Sequence, residues 1–335
     1  MLSFAEYIAE ATPEFDKKQR DDAVRIFNKL TQKLKSQKDS GNVPFKIILY
    51  ADALSINLGE VLKDSKYYNV ELIFGASGGQ YAGMFSPNKD GNNYIILYTV
   101  PQKLITKEFY TLNKLMPRKV LVRIMLEGLK SSSARSTFVH EFVHNQDFHR
   151  VKSKETFFDK GSKDKPPEIY YNDEKELNAH YQHIVDNVEV WFRQHFIDKI
   201  LKYKFSVAKM NSYKNIMKNK EELESALIIL SSMNGIYNRL DALEKDSRSF
   251  IDDEVIRLNT NTQFFKYLNQ KNRKKIVARL YQYHTTTFKK IVKDYKKYIS
   301  TMLKNVKNED VIYELKRLDM NLYNDLVKIG LNKVK

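Results

Sequence analysis

The chain has 335 residues, of which 42% are hydrophobic and 29% charged, and it contains no cysteine. A chain of this length can bury the core of one large domain or of two smaller ones. The lack of cysteine excludes disulfides, a thiol nucleophile and Cys-ligated metal, so a metal site here must use His, Asp and Glu. We therefore expect the protein in a cytoplasm, or in a particle assembled in one.

The formal net charge of +16 is unevenly distributed along the chain. Residues 201–335 contain 28 Lys and Arg against 15 Asp and Glu, whereas residues 1–200 contain 29 against 26. This asymmetry predicts two functional parts that divide near residue 200. No apolar run approaches the roughly 20 residues that span a bilayer, and the first residues lack the apolar stretch of a secretory signal, so we expect no membrane association.

The first part of the chain combines helical and extended patterns. Residues 14–37 are amphipathic, with Thr12 and Pro13 as cap and first position of a predicted helix, and Gly41 to Pro44 end it. Apolar runs of extended type predict strands at residues 45–50, 70–74, 81–85 and 94–98. The last two flank the turn signal Asp90-Gly91, which predicts a hairpin.

Helical patterning dominates from residue 101 onwards. Helices are predicted within 101–130, from the serine run 131–133 through the segment STFVHEFVHNQDFH, and from Asp173 through Phe196. Residues 151–171, with many lysines and the pair Pro166-Pro167, read as a long exposed loop. Beyond residue 200 the pattern is helical alone. The predicted fold class is α+β, with a small mixed sheet and two active-site helices in residues 1–200, followed by an all-α domain in residues 201–335.

One motif carries clear chemical meaning, and it lies within the predicted helix after the serine run. His140-Glu141-Phe142-Val143-His144 fits the pattern H-E-x-x-H, in which the two histidines lie one helical turn apart and can bind one metal ion. Zinc catalysis needs three protein ligands and an open position for water, and a nearby carboxylate to accept a proton. His140 and His144 are therefore the predicted zinc ligands and Glu141 the predicted general base.

The third ligand is expected near the start of the next helix. Glu176 is the first candidate, but Asp173 and Glu176 also fit a capping box, in which both side chains would only satisfy the helix end. His180 follows Glu176 by four positions and shares its face, so it is the rival ligand or an oxyanion stabiliser. His149 and His183 are weaker candidates.

The two motifs together resemble a known family. HEFVH, followed after 31 residues by ELNAH, is similar to the gluzincin-like zinc metallopeptidases, and especially to zincin-like peptidases predicted in bacteriophage genomes. The resemblance implies zinc bound by His140, His144 and Glu176, with Glu141 as base in the hydrolysis of a peptide bond. It also implies an edge strand, 81–85 or 94–98, that holds an extended protein or peptide substrate. It covers at most residues 45–195.

The most basic stretch suggests a second kind of partner. Residues 266–297 contain eleven Lys and Arg and one acidic residue, Asp294. Aromatic residues are interleaved with them, which is a pattern that can bind nucleic acid or another polyanion. The alternative is a helix whose lysines face solvent opposite a buried stripe. That stripe would consist of Val277, Leu280, His284, Phe288, Ile291, Tyr295 and Ile299.

Two functional hypotheses follow from the sequence. The first is a zinc metalloprotease. The second is a virion or DNA-associated structural protein of a bacteriophage, in which a zincin fold persists without catalysis. The host cytoplasm or the virion is the expected location under either hypothesis.

Overall fold

The structure is a computed structural model that describes most of the chain. The described residues are 13–44, 46–48, 53–76, 82–87, 92–100, 117–130, 133–150, 165–212, 219–246, 249–260 and 262–333. Five strands are formed within these ranges, and the other regular elements are helical. The strands are β1 (Lys46–Ile48), β2 (Ala53–Asn57), β3 (Val70–Ala76), β4 (Gly83–Pro87) and β5 (Asn93–Val100).

The helices are numbered separately, in chain order. They are α1 (Pro13–Gln37), α2 (Leu58–Leu62), α3 (Arg118–Lys130), α4 (Ala134–Arg150), α5 (Pro167–Tyr170), α6 (Glu174–Phe192), α7 (Asp198–Ser212), α8 (Lys220–Lys245), α9 (Arg257–Thr260), α10 (Gln263–Tyr267), α11 (Gln270–Tyr283), α12 (Lys289–Lys304), α13 (Glu309–Leu318) and α14 (Met320–Ile329). Segments of π-helix at Arg193–Ile197, Phe250–Ile256 and His284–Phe288 join or precede some of these helices.

Two compact units divide the chain. The first contains the residues up to Asn187 together with Gln263–Ile276, and the second contains Val188–Thr262 and Val277–Lys335. These units are defined by compactness alone. The assignment of functional domains to residues 1–200 and 201–335 therefore stays a prediction.

The sheet of the first unit has the strand order β1-β2-β3-β5-β4. β3 and β5 are parallel and the other neighbours are antiparallel, which makes the sheet mixed. The predicted hairpin is confirmed by the pairing of β4 with β5, while its turn at Asp90-Gly91 lies outside the described residues. β4 forms one edge of the sheet, and this position matters for the site.

The core of the first unit lies between the sheet and helices α1, α3 and α4. The strands supply alternate residues such as Leu72, Phe74, Ile95 and Leu97, all fully buried, as expected for a sheet with one face covered. Phe138 of α4 stacks with other aromatic side chains in this core. Apolar packing thus holds α4 in place independently of any metal ion.

The second unit is helical throughout its described residues. α8 packs against α7, α12, α13 and α14. Lys296 of α12 bridges Asp241 and Glu244 of α8, and its ammonium group is mostly shielded from solvent. Among the described residues of the whole chain, no helix is both long enough and apolar enough to cross a bilayer.

The α+β fold class is confirmed, and most predicted elements are found. The loop predicted over residues 151–171 is wrong in its final part, because Pro167 occupies the first turn of the short helix α5, where a proline is favourable. β2 and α2 were not predicted from the sequence. Residues 1–12, 101–116 and 151–164, including the predicted cap at Thr12, lie outside the described residues.

Candidate metal centre

Two histidines of α4 point their Nε2 atoms towards each other. Nε2 of His140 and Nε2 of His144 are 3.2 Å apart, and both side chains are buried. The four-residue spacing puts the rings one turn apart on one helix face, as the motif predicts. Phe138 and Phe142 stack with each other at 5.3 Å and belong to the core, so apolar packing fixes the helix that presents the histidines.

Glu176 of α6 completes a triangle with these two nitrogens. Its Oε2 lies 3.5 Å from Nε2 of His140, and its Oε1 lies 3.5 Å from Nε2 of His144. Donors at the corners of a regular tetrahedron with zinc bonds of about 2.0–2.1 Å are separated by about 3.3–3.4 Å. The 3.2 Å between the two nitrogens is close to this spacing, and each nitrogen has a different oxygen of Glu176 at 3.5 Å. Apart from its contact with His140, the buried Oε2 of Glu176 has no hydrogen-bond partner among the described residues.

The capping box that competes with this role is not formed. The Asp173 carboxylate accepts a hydrogen bond from the backbone N–H of Lys175, whereas a capping box would use the N–H of Glu176. The backbone N–H of Asp173 donates to the carbonyl of Tyr170 and not to the Glu176 carboxylate. Asp173 thus caps α6 without the help of Glu176, and the Glu176 carboxylate contacts the histidines instead.

The charges in the cluster support a carboxylate ligand. Burial by itself would raise the pKa of Glu176, but the charges and hydrogen bonds of His144 and His140 lower it well below its ordinary value. Glu176 is consequently held as a carboxylate. The burial of an anion is costly unless cations or a metal ion compensate it, and the two imidazoles are placed to do so or to bind a metal with it.

His180, the rival ligand, also reaches the cluster. Its Nε2 lies 3.9 Å from Oε2 of Glu176, and its ring centroid is 4.5 Å from that of His140. This Nε2 is buried, and no hydrogen-bond partner for it is found in the part of the chain that the structure describes. His140, Glu176 and His180 could hold a metal ion on their own, as could His140, Glu141 and His144. The geometry brings all five predicted site residues together, and the Glu176 carboxylate contacts both motif histidines.

Glu141 occupies the position expected of a general base. The side chain is buried beside the cluster, and the backbone N–H of Phe85 in β4 donates a hydrogen bond to its carboxylate. Burial raises the pKa of Glu141 to about 7, with a smaller opposing effect from His140 and a further increase from Glu176. A carboxyl group with a pKa near neutrality can both accept and release a proton.

Gly83 of β4 lies against the helix of the candidate site, a position that the sequence did not single out. A Cβ at Gly83 would lie 2.5 Å from Cγ2 of Thr137 and 3.0 Å from Oε1 of Glu141. No other residue permits so close an approach of the edge strand to α4. Because an isolated glycine in a strand has many explanations, the sequence alone offered no reason to single it out.

The substitution Gly83→Ala is expected to destabilise the fold by about 1–3 kcal/mol, because it forces an atom into the contact between β4 and α4. Urea unfolding would measure the change. The double variant Gly83→Ala/Thr137→Ser removes the methyl group that clashes and should recover part of the loss. Gly235→Ala is the control, since no atom lies within 4 Å of its Cβ position in α8. Gly235→Ala should therefore not destabilise, and an equal loss in both alanine variants would contradict the steric explanation.

Tyr170 is a second residue that the sequence analysis missed. Burial raises the pKa of its phenol group above the ordinary value, and the charge and hydrogen bond of Glu176 raise it further. The phenol therefore stays protonated and donates to the Glu176 carboxylate. Hydrogen bonds of this kind orient ligands in metal sites. The residue belongs to the segment that was predicted to be a loop, which is why no role was predicted for it.

The two weaker histidine candidates serve other contacts. Nε2 of His149 lies 3.0 Å from the side-chain nitrogen of Asn93, and His149 lines a cavity of about 370 Å³ together with Asn145 and Gln146. His183 donates a hydrogen bond to the backbone carbonyl of Ser136, and burial lowers its pKa to about 4. Neither residue belongs to the two groups that could hold a metal ion.

The basic segment 266–297 is less suited to base stacking than its composition indicates. Tyr283 and Phe288 of the segment are buried, and so are Phe264 and Phe265, which directly precede it. Tyr281 is partly buried, and its hydroxyl bonds to Asp252. Leu280, His284, Phe288 and Ile299 of the predicted stripe are also buried, with Val277, Ile291 and Tyr295 partly so. His284 is buried in this stripe, and within the described part of the chain its Nε2 has no hydrogen-bond partner.

Comparison of the chain with protein-family models, with curated proteins and with solved structures gave no match. The site is therefore interpreted from its own residues and their geometry.

Proposed function

We propose that the protein is a zinc-dependent metallopeptidase, of the gluzincin-like kind that its two motifs resemble. The single observation that supports this most is the approach of the Glu176 carboxylate to both motif histidines, whose Nε2 atoms are 3.2 Å apart: Oε2 lies 3.5 Å from His140 Nε2 and Oε1 lies 3.5 Å from His144 Nε2. These three residues would hold the metal. A zinc ion bound there polarises a carbonyl group and lowers the pKa of water towards neutrality.

The remaining groups have roles that follow from their positions. Glu141 lies beside the triangle, so it would take a proton from the attacking water and pass it to the leaving amine. Its hydrogen bond from the N–H of Phe85 would hold the carboxylate in place while it does so. His180, with a buried and unpartnered Nε2, would donate to the oxygen of the carbonyl under attack, or would serve as the ligand if Glu176 does not.

β4 is the natural place for an extended substrate. The carbonyl of Ala82 accepts from the N–H of Tyr98 in β5, so the antiparallel pattern turns the main-chain groups of Gly83 and Phe85 away from β5. Because the Phe85 N–H is bonded to Glu141, a peptide could pair with the remaining main-chain groups of that edge as an added strand and present its backbone next to Glu141. Such pairing recognises the main chain of a substrate more than its side chains, which suits an unstructured protein or peptide.

Removal of the metal tests this proposal directly. The purified chain is expected to contain about one zinc ion, and to cleave an unfolded protein such as reduced casein. Dialysis against 1,10-phenanthroline should abolish cleavage, and the addition of one equivalent of zinc should restore it. A non-chelating phenanthroline isomer is the control. Full cleavage by a chain shown to be free of metal would refute the proposal.

The second candidate function is a non-catalytic protein that binds a polyanion, such as DNA. The observation in its favour is a row of exposed lysines on α12, namely Lys290, Lys293 and Lys297. Cations spaced by one helical turn can follow a phosphate backbone, although the buried aromatic residues of the segment would not stack on bases.

This second candidate predicts DNA binding that weakens steeply with salt. For the full chain, the triple variant Lys290→Gln/Lys293→Gln/Lys297→Gln should reduce the slope of log affinity against log salt by up to about 3 units. Fluorescence anisotropy with a labelled oligonucleotide measures this. Lys316→Gln is the control on another helix. Equal slopes in the triple variant and the native chain would exclude this surface.

A further inference from the structure

A segment distant in sequence packs beside the candidate metal centre within the same compact unit. This segment is Gln263–Ile276, and its Phe264 stacks on the ring of His180 with centroids 4.3 Å apart and an interplanar angle of 21°. Tyr171 contacts both rings, at 5.5 Å from His180 and 6.1 Å from Phe264. Tyr267 in turn stacks on Tyr171 with nearly parallel planes. His180 therefore forms one end of a packed aromatic group.

Asn172 fastens this segment beside the start of α6. Its side-chain Nδ2 donates to the carbonyl of Tyr267 at 2.8 Å. Its Oδ1 accepts from the backbone N–H of Asn269 at 2.9 Å and from the side chain of Asn272 at 3.0 Å. Both ends of one amide group are thus used to hold Gln263–Ile276 in place. These hydrogen bonds are specific in direction and distance, unlike general apolar packing.

The orientation of His180 depends on this packing. Its Nε2 faces the cluster, 3.9 Å from Oε2 of Glu176, and none of the described residues forms a hydrogen bond with it that would fix the ring. The stacked Phe264 ring, itself only 4% exposed, covers one face of the imidazole. A flat contact of this kind restricts rotation of the imidazole about its bond to Cβ, because the ring cannot turn without striking its neighbour.

We infer that Gln263–Ile276 forms one wall of the candidate metal centre and that Phe264 is a positioning residue for His180. The expected effect on kcat rests on the proposed function, whereas the expected effect on the orientation of His180 does not. The surroundings of the centre then extend beyond residues 1–200, to a segment that its composition assigns to the basic helical part. No contact between Phe264 and the metal is required, since Phe264 acts through the His180 ring.

The test uses the full chain with Phe264→Leu, which keeps an apolar side chain but removes the ring. In imidazole ¹H–¹⁵N spectra of the metal-free protein, the His180 signals should move in this variant by more than the loss of the Phe264 ring current accounts for, and return in Phe264→Tyr. Phe265→Leu is the matched control, because Phe265 is equally buried and meets Phe264 edge-on at 5.5 Å. In the zinc-loaded chain, Phe264→Leu should lower kcat about tenfold at unchanged zinc content and KM.

Each outcome has a definite meaning. His180 signals that stay in place in Phe264→Leu, or that move as much in Phe265→Leu, would overturn the inference. If Phe264→Leu fails to fold, Asn172→Ala replaces it and should produce the same displacement of the His180 signals. A native chain that cleaves no substrate, but whose His180 signals respond as expected, would refute the proposed peptidase and leave Phe264 assigned as a positioning residue.

Discussion

Replacement of His144 by alanine is expected to lower the zinc content from about one ion per chain to almost none. His144 supplies one corner of a triangle of three donors, and its nitrogen lies 3.2 Å from Nε2 of His140 and 3.5 Å from Oε1 of Glu176. A zinc site keeps three protein ligands, so the loss of one leaves two donors and a large fall in affinity. Metal analysis after dialysis would measure the change.

The control for this variant is His149→Ala on the same helix. His149 lies one turn further along α4, where it contacts Asn93 and not the cluster. The zinc content of His149→Ala should equal that of the native chain. Similar zinc in His144→Ala and in the native chain would remove the assigned site altogether, provided that both variants remain folded by circular dichroism.

The same measurement decides the third ligand. Glu176 lies 3.5 Å from each motif histidine, whereas Nε2 of His180 lies 3.9 Å from the nearest oxygen of Glu176. Glu176→Ala should therefore lose zinc as His144→Ala does, while His180→Ala should retain most of it. The reverse pattern would make His180 the ligand and leave Glu176 as its neighbour.

The site could be predicted from sequence where its residues lie close together on helices. The four-residue spacing of His140 and His144 fixes their relation on a helix, because helical geometry is local. The same reasoning placed Glu176 and His180 on one face of α6. The predicted pairing of β4 with β5 also succeeded, since a hairpin depends on a short turn and two adjacent apolar runs.

Contacts between segments far apart in sequence could not be predicted in this way. The stacking of Phe264 on His180 joins residues more than eighty positions apart, and in the sequence Phe264 looked like one member of a basic, aromatic stretch. The close approach of Gly83 to Thr137 depends on how the sheet packs against α4. β2 and α2 were missed because their short runs lack a strong apolar period.

Asp173 and Glu176 are a second case in which the sequence could not decide, here between a capping box and a metal site. Either a capping box or a metal ligand satisfies the local pattern, because both use a carboxylate three residues after a helix cap. In the structure the capping box is not formed, and the Glu176 oxygens lie 3.5 Å from the histidines of the distant α4. The local pattern fits both alternatives, and only this tertiary contact shows where the carboxylate lies; its role as a metal ligand stays a proposal.

Replacement of Glu141 by glutamine should leave zinc bound and reduce kcat by about 10²–10⁴-fold. Glutamine has nearly the shape of glutamate and keeps an oxygen that can accept from the Phe85 N–H, but it cannot take a proton. The reaction would then lose its proton acceptor without losing its metal. Initial rates of cleavage of a quenched fluorescent peptide, with zinc content measured in parallel, would show the separation.

Glu174→Gln is the matched control for this change of charge. Glu174 lies in the first turn of α6 and pairs at 3.7 Å with Lys275, so the substitution removes one carboxylate outside the cluster. Its rate should stay within about twofold of the native value, since an exposed ion pair contributes little. Because the two variants carry the same net charge, a loss confined to Glu141→Gln must come from the position of that carboxylate beside His140, His144 and Glu176. Full activity in Glu141→Gln with zinc retained would show that another group accepts the proton.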